Sequence, residues 1–100
     1  KVKILRYENG GKYKWHTDCG SKETSTRKLT AIIQLSDETM YEGGNLEFGI
    51  TDESGKNNYT APRTRGSITI FPAFLSHRVT PITKGRRYSL ITWMLGDCFV

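Results

Sequence analysis

A chain of 100 residues, 36% hydrophobic and 25% charged, carries enough apolar side chains for one core and too many for a disordered segment, so a single domain over 1–100 is expected. Fifteen Lys and Arg against ten Asp and Glu give a net charge of +5, which favours anionic partners, but the cations are scattered (Lys12, Lys14, Lys22, Lys28, Lys56, Arg63, Arg65, Lys84, Arg86), and scattered charge is more often solubility than a binding stripe. Two cysteines, Cys19 and Cys98, are too few and too far apart for a disulfide scaffold or a paired-cysteine zinc site, and no apolar run approaches the ~20 residues of a membrane span; a reducing compartment, a cytoplasmic location and no membrane contact are the expectations.

The chain opens on "KVKILRY" (1–7), already alternating as a strand does and without an initiator Met, so the native protein is expected to extend further towards its N-terminus. "ENGGK" (8–12) is a turn, and "KYKWHTDCG" (12–20) again reads as a strand. "LTAIIQLS" (29–36), "GNLEFGI" (44–50), "GSITIFP" (66–72), "HRVTPI" (77–82) and "RYSLITWML" (87–95) are short runs rich in β-branched and aromatic residues. "YEGGN", "DESGKNN", "APRTRG" and "ITKG" supply the Gly, Asn, Asp or Pro of the intervening turns. No window sustains a 3.6-residue apolar period over three turns. Seven or eight short strands predict an all-β sandwich, barrel or jelly roll.

Within the second run, His16 and Asp18 stand two apart, and on an extended strand residues i and i+2 face the same way. By itself His-x-Asp is a surface turn as readily as a ligand pair. The other histidine, His77, opens "HRVTPI" and is the candidate third ligand. Two histidines and one carboxylate on one face form the facial triad of non-haem Fe(II) oxygenases, which leaves coordination positions open for a cosubstrate and O2. Arg87 follows in "HRVTPITKGRRYSLITW", and an arginine pointing into a barrel is costly unless a carboxylate meets it there. A keto-diacid such as 2-oxoglutarate meets both demands, with its keto-acid end on the metal and its far carboxylate on the guanidinium. Ser89, two residues along the same strand, would face the same pocket.

These residues carry a family resemblance over nearly the whole chain. "RYENGGKYKWHTD" is similar to a Tyr-x-x-Gly-x-x-Tyr-x-x-His-x-Asp segment, "LTAIIQLSD" with "YEGGNLEF" to a strand, acidic turn and Gly-Gly-x-Leu hairpin, and "GSITIFPAFLSHRVTPITKGRRYSLITW" to a closing block. Together they resemble the Fe(II)/2-oxoglutarate dioxygenases of the prolyl 4-hydroxylase superfamily, in particular the bacterial and phage PKHD-type hydroxylases. The resemblance implies a double-stranded β-helix, or jelly-roll, core and iron ligands His16, Asp18 and His77. It also implies Arg87 as partner of the distal 2-oxoglutarate carboxylate, and Tyr7, Tyr13 and Ser89 as candidates to line the cosubstrate pocket. The implied activity is hydroxylation of a C–H bond of a peptidyl residue, proline first, with release of succinate and CO2 and with ascorbate as a further cofactor. One departure is Gln34, where several relatives place an aromatic.

Other readings stand beside these. Tyr7 and Tyr13 also fit plain strand aromatics, Gly43 and Gly44 turn positions, Trp93 the core, Arg86 the solvated surface, and Cys19 a neighbour of the site rather than a ligand. A non-catalytic jelly-roll binding module, a nucleic-acid-directed oxygenase of the same fold and a hydrolytic zinc site are the competing functions. The nucleic-acid reading wants a second arginine beyond Arg87, and "RYSLITWM" has none; the zinc reading has no use for Arg87. If Arg87, Ser89 and Trp93 face inward, then Tyr88, Leu90, Thr92 and Met94 face out, as do Ala31, Ile33 and Leu35 if Thr30 and Gln34 face in. That apolar outer face is expected to need the covering N-terminal helices of the family, absent from these 100 residues, or a second chain.

Overall fold

The computed structural model describes residues 2–20, 26–50 and 59–96, and within them nine strands with a single 3-10 turn. The strands are Val2–Glu8 (β1), Tyr13–His16 (β2), Arg27–Gln34 (β3), Tyr41–Gly43 (β4), Leu46–Phe48 (β5), Tyr59–Thr60 (β6), Ile68–Pro72 (β7), His77–Val79 (β8) and Ile82–Leu95 (β9). They form two antiparallel sheets. The larger runs β1-β9-β3-β7, with β4 also on β9, and the smaller runs β2-β8-β5-β6. This is the all-β, jelly-roll architecture expected from the sequence.

Strand alternation sets the core. On β9, Arg87, Ser89 and Ile91 are buried while Tyr88, Leu90 and Thr92 between them are less so, and on β3 Thr30, Ile32 and Gln34 point the same inward way. Tyr7, Ile32 and Ile91 from the larger sheet meet Leu46, Phe48 and Val79 from the smaller one. Polar residues therefore enter the interior at strand positions that alternation turns inward, and those positions carry the site.

Two boundaries depart from the sequence reading. "HRVTPI" is not one strand: β8 stops at Val79, and Ile82 already belongs to β9. "ITKG" is not a reversal either. β9 runs straight through it, pairing Ile82, Lys84 and Gly85 with β4 before β1 and β3 take over. Gly85 has φ +75, and a Cβ there would overlap the carbonyl oxygen of Met40, so the glycine permits a close strand approach rather than a turn. The "DESGKNN" turn lies outside the described residues.

The outer face of the larger sheet is apolar, as the alternation predicts. Val2 and Ile4 on β1, Ile68 and Ile70 on β7 and Met94 on β9 are all exposed, Ile4 at 66%. Ala31 is buried, facing Ile70 and Thr92 on its neighbouring strands. Nothing among the described residues covers this face. Residues 1–100 expressed alone are expected to bind a dye specific for apolar surface, and Ile4→Lys with Ile70→Lys should lower that binding. A soluble monomer by light scattering that binds no dye would contradict it.

Candidate metal centre

His16 closes β2 and His77 opens β8, and the two are register partners across the β2–β8 pair, which brings their ring centroids to 4.2 Å. Asp18 reaches them differently from the extended i, i+2 geometry expected. It lies two residues past the end of β2, where the backbone N–H groups of Asp18 and Cys19 both donate to the carbonyl of Ala73, at 2.8 and 3.0 Å. A loop pinned to the segment after β7, rather than strand alternation, presents the carboxylate. The result is a cluster in which Asp18 Oδ1 lies 3.4 Å from His16 Nε2 and 3.5 Å from His77 Nε2, with one ligand atom from each residue within 4.8 Å of the others.

The atoms behind the cluster fix its chemistry. His16 Nδ1 faces the carbonyl of Lys14 at 2.6 Å and His77 Nδ1 that of Leu75 at 2.9 Å. A carbonyl only accepts, so each Nδ1 carries the hydrogen and each Nε2 offers a lone pair to the cluster. On the carboxylate, Thr30 Oγ1 donates to Asp18 Oδ2 at 2.7 Å and Trp93 Nε1 donates to the same oxygen at 3.4 Å, leaving Oδ1 for the histidines' side. Thr30 is fully buried. His77 is held among rings, edge-on to Phe71 at 4.7 Å, and His16 stacks on Tyr13 at 3.8 Å.

Electrostatics favours the ligating forms of His16 and Asp18. Burial lowers the pKa of His16, and His77 beside it adds to this, so the imidazole stays neutral. For Asp18, burial pushes the pKa up, but the neighbouring His77 and the hydrogen bonds from Thr30 and Trp93 outweigh it, and the carboxyl sits below its ordinary range. Two imidazoles that turn Nε2 to the cluster and one carboxylate, backed by their own hydrogen-bond partners, fit a divalent first-row metal such as Fe(II).

The remaining predicted residues divide between two cavities. Tyr7 and Tyr13 line the one at the cluster, about 120 Å³, along with Lys3, Arg27 and Trp93. Tyr7 is buried, and burial raises its pKa; Tyr13 is exposed at the rim. Arg87 is 3% exposed and lines a second cavity with Gln34, Tyr41 and Arg63, while Tyr7 lies beside it, ring centroid 5.4 Å from the guanidinium. Burial lowers the pKa of Arg87, and no carboxylate among the described residues is within ion-pair distance of it. Ser89 is buried on the same inward face but lines neither cavity.

Sequence reasoning missed Thr30, and it placed Trp93 in the core, where the ring does pack, without foreseeing that its indole N–H faces Asp18. A threonine facing inward within "LTAIIQLS" was the available signal. Gly44 is more than a turn residue, since a Cβ there would press on Ile82 and Arg87. Cys19 is disulfide-bonded rather than a free thiol; the chain's other cysteine, Cys98, lies outside the described residues.

Residues 2–95 match the profile of the family described as the 2OG-Fe(II) oxygenase superfamily. The chain belongs to that superfamily. Among curated proteins it is 34% identical to a PKHD-type hydroxylase of Synechococcus sp. (strain CC9311) over 91 residues, covering 91% of this chain and 40% of that one. It is 31% identical to a PKHD-type hydroxylase of Teredinibacter turnerae over 93 residues, covering 88% and 39%. The chain thus spans about two fifths of the length of these relatives. A crystal structure of a Pseudomonas putida prolyl-4-hydroxylase superposes with a TM-score of 0.80 at 21% identity, over 96% of this chain and 52% of that one, which shows a shared fold.

In this superfamily member, Thr30 can be tested apart from the ligands. Thr30→Val removes the hydrogen bond to Asp18 at nearly constant volume and is expected to weaken Mn(II) binding by about 10- to 100-fold in calorimetry. Thr30→Ser should restore most of it, and unchanged affinity in the valine variant would show that Oδ2 needs no partner. In the metal-free protein the His16 imidazole should protonate at a pH below the ordinary histidine value of about 6.5, read by NMR titration of its ring, because its burial lowers the pKa.

Proposed function

We propose that the chain carries an Fe(II)- and 2-oxoglutarate-dependent oxygenase that hydroxylates a C–H bond of a peptidyl residue, with proline the first candidate. The observation that carries this is the convergence of His16, Asp18 and His77 at a cavity while a buried arginine, Arg87, awaits an anion. In this reading His16 Nε2, Asp18 Oδ1 and His77 Nε2 hold the iron. Bound iron supplies the activation of O2, which the polypeptide's own groups cannot perform. The balance is one C–H bond, O2 and 2-oxoglutarate converted to one C–OH, succinate and CO2.

The chain's residues then divide the remaining work. Thr30 and Trp93 hold the Asp18 carboxylate so that one oxygen faces the metal. Arg87 takes the far carboxylate of 2-oxoglutarate through its planar fork of N–H donors. Tyr7 walls the space beside the guanidinium, and Tyr13, stacked on His16, shields the metal from the solvent side. Ser89 remains a candidate cosubstrate contact on the same strand. Apolar side chains around the metal, Leu46, Val79 and Ile91 among them, exclude water from it. Ascorbate is included on the family resemblance alone.

A peptide substrate is supported by the hydroxylase relatives and by the likeness to a Trichoplax adhaerens prolyl hydroxylase solved with a hypoxia inducible factor peptide fragment, TM-score 0.76 at 19% identity over 97% of this chain. The jelly-roll core over 1–100 would be the catalytic unit. No helix among the described residues is long and apolar enough to cross a membrane. The cytoplasmic location expected from the sparse cysteines is part of this proposal, and localisation of the protein in its cell tests it.

Incubating the protein with Fe(II), 2-oxoglutarate and a peptide library should give ferrous-dependent succinate and a +16 mass shift on a peptide. Absence of succinate with every substrate would favour a non-catalytic binding module. Asp18→Ala should abolish turnover, and full activity would sink the triad reading. Arg87→Ala should raise the 2-oxoglutarate requirement while Fe(II) affinity holds, at about 2–5 kcal/mol for a buried pair broken on one side, with Arg87→Lys recovering only part.

A further inference from the structure

A groove of about 380 Å³ lies beside the metal cavity on the flank of the smaller sheet. Lys12, Lys14 and Trp15, in and just before β2, meet Arg78 of β8 and Pro81 across it. Tyr13 and Val79 line this groove and the metal cavity alike, so the two are continuous. β2 is an edge strand of the smaller sheet, and Lys12, Tyr13, Lys14 and Trp15 are all exposed. Arg78 stands far from the two lysines in sequence, and the pairing of Tyr13 with Val79 brings it to them. Its guanidinium sits over the Trp15 ring at 4.8 Å and is anchored by Glu47, whose Oε1 accepts from Nε at 2.7 Å and from Nη2 at 2.6 Å. None of the residues lining the groove is acidic, and no ion pair among the described residues involves Lys12 or Lys14.

Two ammonium groups without acidic partners, beside the apolar side chains of Val79 and Pro81, suit a ligand that joins carboxylates to aliphatic stems. A nucleic-acid strand would want open aromatic faces on which bases stack. Here Arg78 covers one face of Trp15, and Tyr13 is stacked on His16 at 3.8 Å. Continuity with the metal cavity argues for a polypeptide. With one residue beside His16 and His77, an extended chain advances about 3.3 Å per residue, so the lysines come within reach a few residues beyond Tyr13. We propose that this groove binds glutamate or aspartate side chains about two to five residues from the one that enters the metal cavity, and so selects polypeptides with an acidic flank. The inference rests on the reading of the metal centre as a peptidyl hydroxylase. Because both lysines are exposed, the attraction is screened by salt and governs the choice among substrates more than the tightness of binding.

The probes are three labelled proline peptides of equal length, flanked by glutamates, by serines or by lysines. Their binding to the full-length protein loaded with Mn(II) and 2-oxoglutarate is read by fluorescence anisotropy, and their turnover with Fe(II) by succinate. The glutamate peptide should bind about tenfold more tightly than the lysine peptide at ~10 mM salt, where the Debye length is ~30 Å, and lose that advantage at ~1 M, where it is ~3 Å. Lys12→Glu should remove most of the preference, and Lys12→Glu with Lys14→Glu should reverse it. Lys84→Glu makes the same change of charge at a residue that lines neither the groove nor the metal cavity, and should leave the preference in place. If the parent binds and converts all three peptides alike, the inference is overturned and the hydroxylase reading stands. A preference that survives the double variant, or that Lys84→Glu abolishes equally, also overturns it, since the groove is then not its source. A single-stranded oligothymidylate that displaces the glutamate peptide more effectively than the unlabelled peptide does would make the groove a nucleic-acid site and overturn it too. If no peptide yields succinate while the glutamate peptide is still held through Lys12 and Lys14, the groove is supported and the hydroxylase reading alone fails.

Discussion

The Asp18 carboxylate, 6% exposed and set between two imidazole nitrogens, is the constraint around which the rest of the molecule is arranged. A buried carboxylate is tolerable only when every acceptor direction is answered. Here one oxygen is answered by Thr30 and Trp93 from the larger sheet, and the other is turned towards His16 and His77 from the smaller one. The two sheets thus meet at one ionised group, and its lowered pKa reports that the hydrogen bonds from Thr30 and Trp93 and the neighbouring His77 outweigh its burial. Each ligand is fixed from behind before any metal is considered, because the carbonyls of Lys14 and Leu75 select the histidine tautomer. That preorganisation keeps an Nε2 lone pair from turning away.

Burial of Arg87 poses the complementary problem at the second cavity. A guanidinium at 3% exposure with no described carboxylate beside it is unfavourable in the protein by itself, and its lowered pKa is the signature of that desolvation. The chain softens the environment with Tyr7 and Tyr41 instead of neutralising it. A permanent acidic partner would have stabilised the arginine but occupied the place of an anionic ligand. The interior therefore holds one anionic centre that suits a cation and one cationic centre that suits an anion.

Geometry around these centres explains several residues that make no polar contact. Gly85 lets β9 pass close to Met40 and continue, so that one strand carries Ile82 beside β4 and Arg87, Ile91 and Trp93 into the interior. A turn at "ITKG" would have separated Arg87 from β4 and from Tyr41. Gly44 keeps the backbone open beside Ile82 and Arg87. On the opposite side of the larger sheet, the same alternation that delivers these residues inward puts Ile4, Ile70 and Met94 in contact with water.

By itself the sequence determined the all-β class, the inward and outward sets on β3 and β9, and the identity of the donor atoms, because period-2 alternation, turn chemistry and ligand type are local properties. His16, Asp18, His77 and Arg87 could be named on those grounds together with the family resemblance. Only the tertiary structure decided how they meet. Asp18 is delivered by a loop hydrogen-bonded to Ala73, Trp93 packs on the core and donates to that carboxylate, Thr30 answers its second oxygen, and Tyr41 comes to line one cavity with Arg87 from a strand the sequence had read as a turn. Each of these depends on the pairing of strands distant in the chain. Long-range register is set by the packing of two sheets against each other, and no short window of sequence contains it.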